Sequence, residues 1–185
     1  AAVVVGAAAG TAMVAYDRRQ PDIMATDERI EIQATDRING IFKDKGHINV
    51  TSFNRHVLLT GEAATEALKQ EAERAAATTQ EVRNVTNELT IGPPSSFSQR
   101  SNDSYLTSVV KSRFVTAQKL NPVHVKVVTE AATVYLMGMV TKREADDATQ
   151  IARTTSGVKR VVRVFEYIPD PPPAPPKPAP AEPAK

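Results

Sequence analysis

The sequence predicts an α+β fold built from two tandem αββαβ modules, each a three-stranded mixed sheet packed against two helices. Three observations predict it. First, the chain repeats itself. Ile48-Asn-Val-Thr-Ser-Phe53 lies against Val125-Lys-Val-Val-Thr-Glu130, and Val57-Leu-Leu-Thr-Gly61 against Val134-Tyr-Leu-Met-Gly138, both at an offset of 77. Ala75-Ala-Ala-Thr-Thr-Gln-Glu-Val82 lies against Ile151-Ala-Arg-Thr-Thr-Ser-Gly-Val158 at 76. Second, within each copy the apolar spacing changes from helical to alternating and back. Third, Gly92-Pro-Pro-Ser-Ser-Phe-Ser-Gln-Arg-Ser101 separates the copies, rich in Pro and Ser and without a period, which predicts a linker.

The elements follow in order. Residues 1–24 form an apolar, small-residue segment, from Ala1 to Tyr16 and then Asp17-Arg18-Arg19. Sixteen apolar residues are fewer than the roughly 20 that cross a bilayer, and no positive region precedes them as in an export signal. A mature N-terminus already relieved of its signal is the expectation. Gly6 and Gly10 have a small-xxx-small spacing that packs helices closely in lipid.

The first module spans 25–91. Ile30, Ala34, Ile38 and Ile41 recur at helical spacing and predict a helix from about Thr26 to Phe42. Ile48 and Val50, then Val57 and Leu59, alternate as a hairpin with Asn54-Arg55 at its tip. Gly61 is expected to end the second strand at a turn. Thr65 then caps a second helix, and Val85, Asn87, Leu89 and Ile91 alternate as a last strand. The second module, 102–168, repeats this plan. Leu106, Val110 and Phe114 mark its first helix, Ala131-Ala132 the hairpin tip and Gly138 the strand end. Thr141-Lys-Arg-Glu144 is a capping box opening its second helix. Residues 169–185 hold nine prolines in 17, which predicts a polyproline II or disordered spacer.

Each copy resembles a BON domain, a bacterial αββαβ module of envelope proteins. The features that carry the resemblance are the V-x-L-x-G strand (Val57 to Gly61; Val134 to Gly138), the helix after it, and the G-V-x-x-V strand at Gly157-Val158-Lys-Arg-Val161. In the first copy Glu81-Val82-Arg-Asn-Val85 takes the place of that last motif and its Gly is lost. The tandem arrangement is similar to the dual-BON-domain outer-membrane lipoproteins over roughly residues 20–168. The resemblance implies a lipid anchor on a Cys absent from this chain, a place on the periplasmic side of the bacterial outer membrane, anionic phospholipid as partner of the second module, and a role in outer-membrane integrity. The Pro-rich tail is not expected from the family core.

The inventory of reactive groups predicts a binding protein, not an enzyme. With no Cys there is no disulfide, thiolate nucleophile or Cys-based zinc site. The three His (His47, His56 and His124) lack helical metal-ligand spacing and read as surface residues at strand edges. No Gly-rich phosphate loop and no G-x-S-x-G occurs, so neither cofactor nor metal is expected. Asp146-Asp147 reads as a solvated helix face. The net charge is only +2, and neither an aromatic ladder nor a GXXG clamp is present, which argues against nucleic acid. The charge is unevenly placed: residues 25–100 hold nine Lys/Arg and eleven Asp/Glu, a net of −2, while 101–168 hold ten and six, a net of +4.

Two surfaces of the second module stand out. On the first helix, Tyr105 sits one residue from the core position Leu106, about 100° round, and is expected to be partly exposed. Lys111, Arg113 and Lys119 are near it in sequence, with Val109 and Val115 extending the patch. An amphipathic ring beside cations suits a lipid headgroup layer; an ordinary solvated helix face is the other reading. On the sheet, Tyr135, Met137, Val162 and Val164 occupy the face opposite the core, where the first copy has Leu58, Thr60, Thr86 and Glu88. An apolar outer face must be covered. The first module, or an envelope protein partner in a chaperone-like role, is expected there.

Overall fold

The computed structural model describes residues 17–43 and 46–170, together with two short backbone stretches near the start, β1 (Val3–Val4) and β2 (Val14–Ala15), which pair antiparallel. The Gly6/Gly10 spacing and most of the Pro-rich tail lie outside the described residues. Among the described residues no helix is long and apolar enough to cross a membrane.

Module one runs α1 (Pro21–Phe42), β3 (Gly46–Phe53), β4 (His56–Ala63), α2 (Glu66–Ala77), β5 (Asn84–Asn87) and β6 (Thr90–Ile91). Module two runs α3 (Phe97–Ala117), a 3-10 turn at Pro122–His124, β7 (Val125–Glu130), β8 (Thr133–Val140), α4 (Lys142–Arg153) and β9 (Arg160–Tyr167). In each, the V-x-L-x-G strand is central. β4 pairs antiparallel with β3 and parallel with β5 and β6; β8 pairs antiparallel with β7 and parallel with β9. The sheets are therefore mixed, with two helices on one face of each. The strand expected at the end of module one is interrupted at Glu88-Leu89, where the Leu89 N–H turns to the Asn87 side chain, whereas β9 is unbroken.

The inner faces build two cores. Ile30, Ile38, Phe42, Val57, Leu59, Ala72 and Leu89 fill the first. Val110, Phe114, Val127, Val134, Leu136, Ala148 and Ile151 fill the second. Each fully buried aliphatic side chain contributes roughly 1.5–3 kcal/mol.

Four local features depart from the sequence reading or refine it. α1 begins at Pro21, five residues before Thr26, because proline suits the first helical position. α3 begins at Phe97, so the linker of 92–101 is helical over its second half. Ser96 accepts the Gln99 N–H while the Gln99 side chain accepts the Ser96 N–H, a capping box inside the expected linker.

The two V-x-L-x-G glycines do not end strands. β4 and β8 continue through them. A Cβ on Gly61 would meet the His47 carbonyl oxygen at 2.0 Å, and one on Gly138 the His124 carbonyl at 2.2 Å. Glycine is there because the neighbouring strand passes too close for any side chain.

The hairpin tips are held from outside. Asn54, Arg55, Ala131 and Ala132 all have positive φ, as a two-residue turn with the right twist demands. The Asp27 carboxylate on α1 accepts the N–H groups of Asn54 (2.8 Å) and Arg55 (2.7 Å). Asp103 on α3 accepts those of Ala131 (2.9 Å) and Ala132 (2.8 Å). These aspartates are themselves repeat partners, 76 apart.

The modules pack sheet to sheet through their outer faces. Phe53 and Leu58 of module one meet Tyr135, Met137 and Val164 of module two, with Val128, Met139 and Val162 around them. Polar links ring this cluster: Lys126 Nζ donates to Glu31 (2.6 Å) and to the Ser52 carbonyl (3.2 Å), and Asn54 donates to Glu166 (2.8 Å). Before α1 two adjacent arginines divide between the modules. Arg18 forks onto Glu144 of α4 (2.7 and 2.9 Å), and Arg19 reaches Asp27 (2.9 Å) while lying over the Phe53 ring. Burial acts to raise the Glu144 carboxyl, but the Arg18 guanidinium and the Thr141 N–H outweigh it and hold Glu144 below its ordinary value.

Candidate functional site

The sheet face singled out in module two is occupied within the chain. Tyr135, Met137 and Val164 are buried against Phe53 and Leu58, and Val162 is half-buried at the edge of the same cluster. An envelope partner has no access to this face, so the surface that a partner-binding reading needs is not on offer.

The outward face of α3 is different. Asp103, Leu106, Val110 and Phe114 point inward. On the far side Phe97 is 79% exposed, Tyr105 65% and Val115 48%. At 100° per residue, Phe97 and Val115 lie on one line along the helix and Tyr105 stands about 80° from it. Ser101, Ser108 and Ser112 occupy the sector between. The hydroxyls of this face turn back onto the helix: Ser104 donates to the Arg100 carbonyl (3.0 Å), Ser108 to Ser104 (3.1 Å) and Thr116 to Ser112 (3.0 Å). These three hydroxyls, already satisfied by the helix backbone, cost less to desolvate than free ones would.

The basic residues expected around Tyr105 do not behave alike. Lys111 is exposed on the flank of the Phe97/Val115 line. Lys119 is exposed just beyond the helix, 3.8 Å from Asp147. Arg113 departs from the expectation. Its guanidinium donates to the Ile151 carbonyl (2.8 Å) and to the hydroxyls of Thr155 (2.6 Å) and Thr154 (3.2 Å), closing the C-terminus of α4. Cations suit that end of a helix, and Arg113 is a structural tie there instead of a surface charge. Val109 is half-buried and adds little. Phe97, among the described residues the most exposed large apolar side chain, lies in the stretch expected to be linker. The Ser96-x-x-Gln99 capping box was the signal that places it on a helix.

Next to Lys111 and Val115 a cavity of about 420 Å³ opens between the modules, with Asp17, Phe53, Val123 and Lys126 on its walls. Asp17 and Arg19, just before α1, therefore lie on the same side as the C-terminal half of α3.

Comparison with known proteins agrees with this architecture. Residues 26–93 and 102–169 each match the BON domain. The chain is 37% identical over 169 residues to the outer membrane lipoprotein DolP of Haemophilus influenzae, covering 90% of this chain and 88% of that one. It is 31% identical over 154 residues to a 21 kDa hemolysin of Actinobacillus pleuropneumoniae, covering 82% and 79%. A solved structure of CdsD, a structural protein of the type III secretion system of Chlamydia trachomatis, matches with a TM-score of 0.32 at 12% identity over 74% of this chain and 92% of that one, a likeness too loose to bear on the reading.

Proposed function

The chain belongs to the BON-domain family, in tandem form, and from that premise we propose that it is a non-enzymatic protein of the bacterial envelope that docks on anionic phospholipid through α3 of module two and supports outer-membrane integrity. The likeness to an outer membrane lipoprotein along nearly its whole length supports the envelope placement, on the periplasmic side of the outer membrane. One observation carries the docking surface: Phe97, Tyr105 and Val115 stand exposed along one helix, with Lys111 exposed on the flank of the Phe97/Val115 line. Aromatic rings with one wet edge partition into the headgroup layer. Each nearby Lys contributes about 1 kcal/mol at an anionic surface. Such a surface is a second membrane signal of the kind a single acyl anchor needs for stable attachment. Asp17, a few residues before α1, lies on the same side.

The test is flotation of the full chain with phosphatidylglycerol vesicles, with phosphatidylcholine vesicles as the neutral comparator. Wild type floats with the anionic vesicles and progressively less as salt screens the lysines. Tyr105→Glu lowers the bound fraction about tenfold, since it removes the ring and adds a repelled charge worth about 1 kcal/mol. Its thermal stability stays at the wild-type level because the side chain is mostly solvated. Equal flotation of mutant and wild type would remove α3 as the docking surface.

A further inference from the structure

Where the modules meet, three ligand-type side chains converge that the membrane reading does not use. His47 on β3 and Glu62 on β4 come from module one, and Glu130 at the end of β7 comes from module two. His47 Nδ1 is 3.6 Å from Glu62 Oε2 and 4.0 Å from Glu130 Oε1, and the three ligand atoms lie within 4.8 Å of one another. Both carboxylates are over nine-tenths buried, Glu62 at 7% and Glu130 at 5% exposure.

The geometry points to a zinc-class divalent cation site that bridges the two modules, with His47, Glu62 and Glu130 as its protein ligands. The separations suit it. Tetrahedral zinc with bonds of about 2.0–2.2 Å sets ligand atoms roughly 3.3–3.6 Å apart. The observed 3.6 and 4.0 Å are too long for hydrogen bonds and close enough to contract around an ion. His47 Nδ1 is buried and has no hydrogen-bond partner, an unusual state for a polar atom. The carboxylates are braced as ligands usually are. Asn49 donates to Glu130 Oε2 (2.7 Å), leaving Oε1 toward His47, and the Ser95 N–H donates to Glu62 Oε2 (3.0 Å).

Two buried carboxylates this close repel without a counter-charge. Burial first, with Glu62 and Asp103 adding, pushes Glu130 up to about 7 against the Asn49 hydrogen bond. Arg100, on the wall of the adjoining cavity, offsets part of that charge. This cavity of about 320 Å³ reaches His47 and Glu130 and gives a path to solvent and room for a water as fourth ligand. One imidazole and two carboxylates select zinc-like ions over magnesium or calcium, which take oxygen alone. The matching positions of module two hold His124 and Met139, so the donor set is not a product of the repeat but of the way the modules face each other.

The experiment is equilibrium dialysis of chelator-stripped full chain against Zn²⁺, with metal content measured per chain and melting followed with and without the ion. One zinc per chain and a higher melting temperature are expected for wild type. His47→Ala, Glu62→Gln and Glu130→Gln each weaken uptake at least tenfold and abolish the thermal shift, while His56→Ala, remote from the cluster, retains both. Glu130→Gln in chelator melts no lower than wild type, since it removes a buried carboxyl that Glu62 and Asp103 repel, and thereby shows that loss of uptake is not loss of fold. No uptake by wild type, or uptake that the three variants share, overturns the site.

Discussion

Module one and module two follow the same chain path yet spend their outward surfaces in opposite ways. Where α3 shows Phe97, Tyr105 and Val115, the repeat positions on α1 hold Pro21, Arg29 and Asn39. Where the outer sheet face of module two carries Val128, Tyr135, Met137 and Val164, that of module one gives only Phe53 and Leu58 to the shared cluster, among Asn49, Thr51 and Thr60. A sheet with both faces apolar must be covered on both. Module two covers one face with its own helices and the other with its twin. Module one thus serves as a lid for module two, and α3 is left with two exposed rings, Phe97 and Tyr105.

The strongest way to break this comparison is to remove the side chain at the centre of the contact. Met137 is fully buried between the sheets. Met137→Ala should cost about 3–4 kcal/mol in urea unfolding, the middle of the roughly 2–5 kcal/mol usual for emptying a buried Met. A double-mutant cycle with Leu58→Ala should show a coupling on the order of 1 kcal/mol, because the two side chains share one cluster. Strictly additive losses would mean that the sheets do not press on each other and that module one is no lid.

The hairpin tips sharpen the comparison at a smaller scale. Asp27 and Asp103 do the same task, but Asp27 also accepts from Ser52 Oγ (2.7 Å) and Arg19 (2.9 Å). Replacing either by Ala strands two backbone N–H groups, which for a buried group costs about 1–3 kcal/mol; the tips of both hairpins are only partly buried apart from Ala132, so water takes back part of that cost. Asp27→Ala is expected to cost about 3 kcal/mol and Asp103→Ala about 2, the difference reflecting the extra partners of Asp27. Chemical denaturation of the two variants measures it. A larger loss at Asp103 would show that Ala131 and Ala132, which have no intrinsic taste for positive φ, lean harder on their carboxylate than Arg19 and Ser52 lean on Asp27.

How far the sequence discloses this structure depends on the range over which each feature is decided. The helix registers are legible because Ile30, Ala34 and Ile38, or Leu106, Val110 and Phe114, repeat within a few turns. The central strands are legible because Val57/Leu59 and Val134/Leu136 alternate locally. The role of Gly61 and Gly138 is half legible. Both mark a backbone constraint, but only the neighbouring strand reveals that the constraint is the carbonyl of His47 or His124. Arg113 reads as a surface cation because its partners, Ile151, Thr154 and Thr155, lie about 40 residues away on another helix. The His47, Glu62 and Glu130 cluster is invisible in one dimension. Its members share no motif and meet only once the sheets have docked, and no local spacing encodes that pose. Phe97 was within reach, since Ser96 and Gln99 spell a capping box, but the prolines before it dominate the reading.

The smallest effect concerns the glycine that module one lacks. Gly157 takes φ 92 in the turn after α4, and its repeat partner Glu81 takes φ 68 after α2. Left-handed backbone costs an ordinary L-residue about 1–2 kcal/mol, and glycine escapes it while losing about 0.5–1 kcal/mol of chain entropy. Glu81→Gly also gives up an ion pair with Arg29 at 3.3 Å, but that pair is solvated and worth little. The balance favours the variant by about 0.5–1 kcal/mol, a rise of a few degrees in melting temperature. The reverse exchange is not symmetrical. A Cβ at Gly157 would sit 3.0 Å from Leu106 Cδ2, so Gly157→Ala should lose about 1–2 kcal/mol through both strain and crowding. Should Glu81→Gly melt lower than wild type, the contact with Arg29 outweighs the strain, and module one has replaced a missing glycine by a bond that module two never needed.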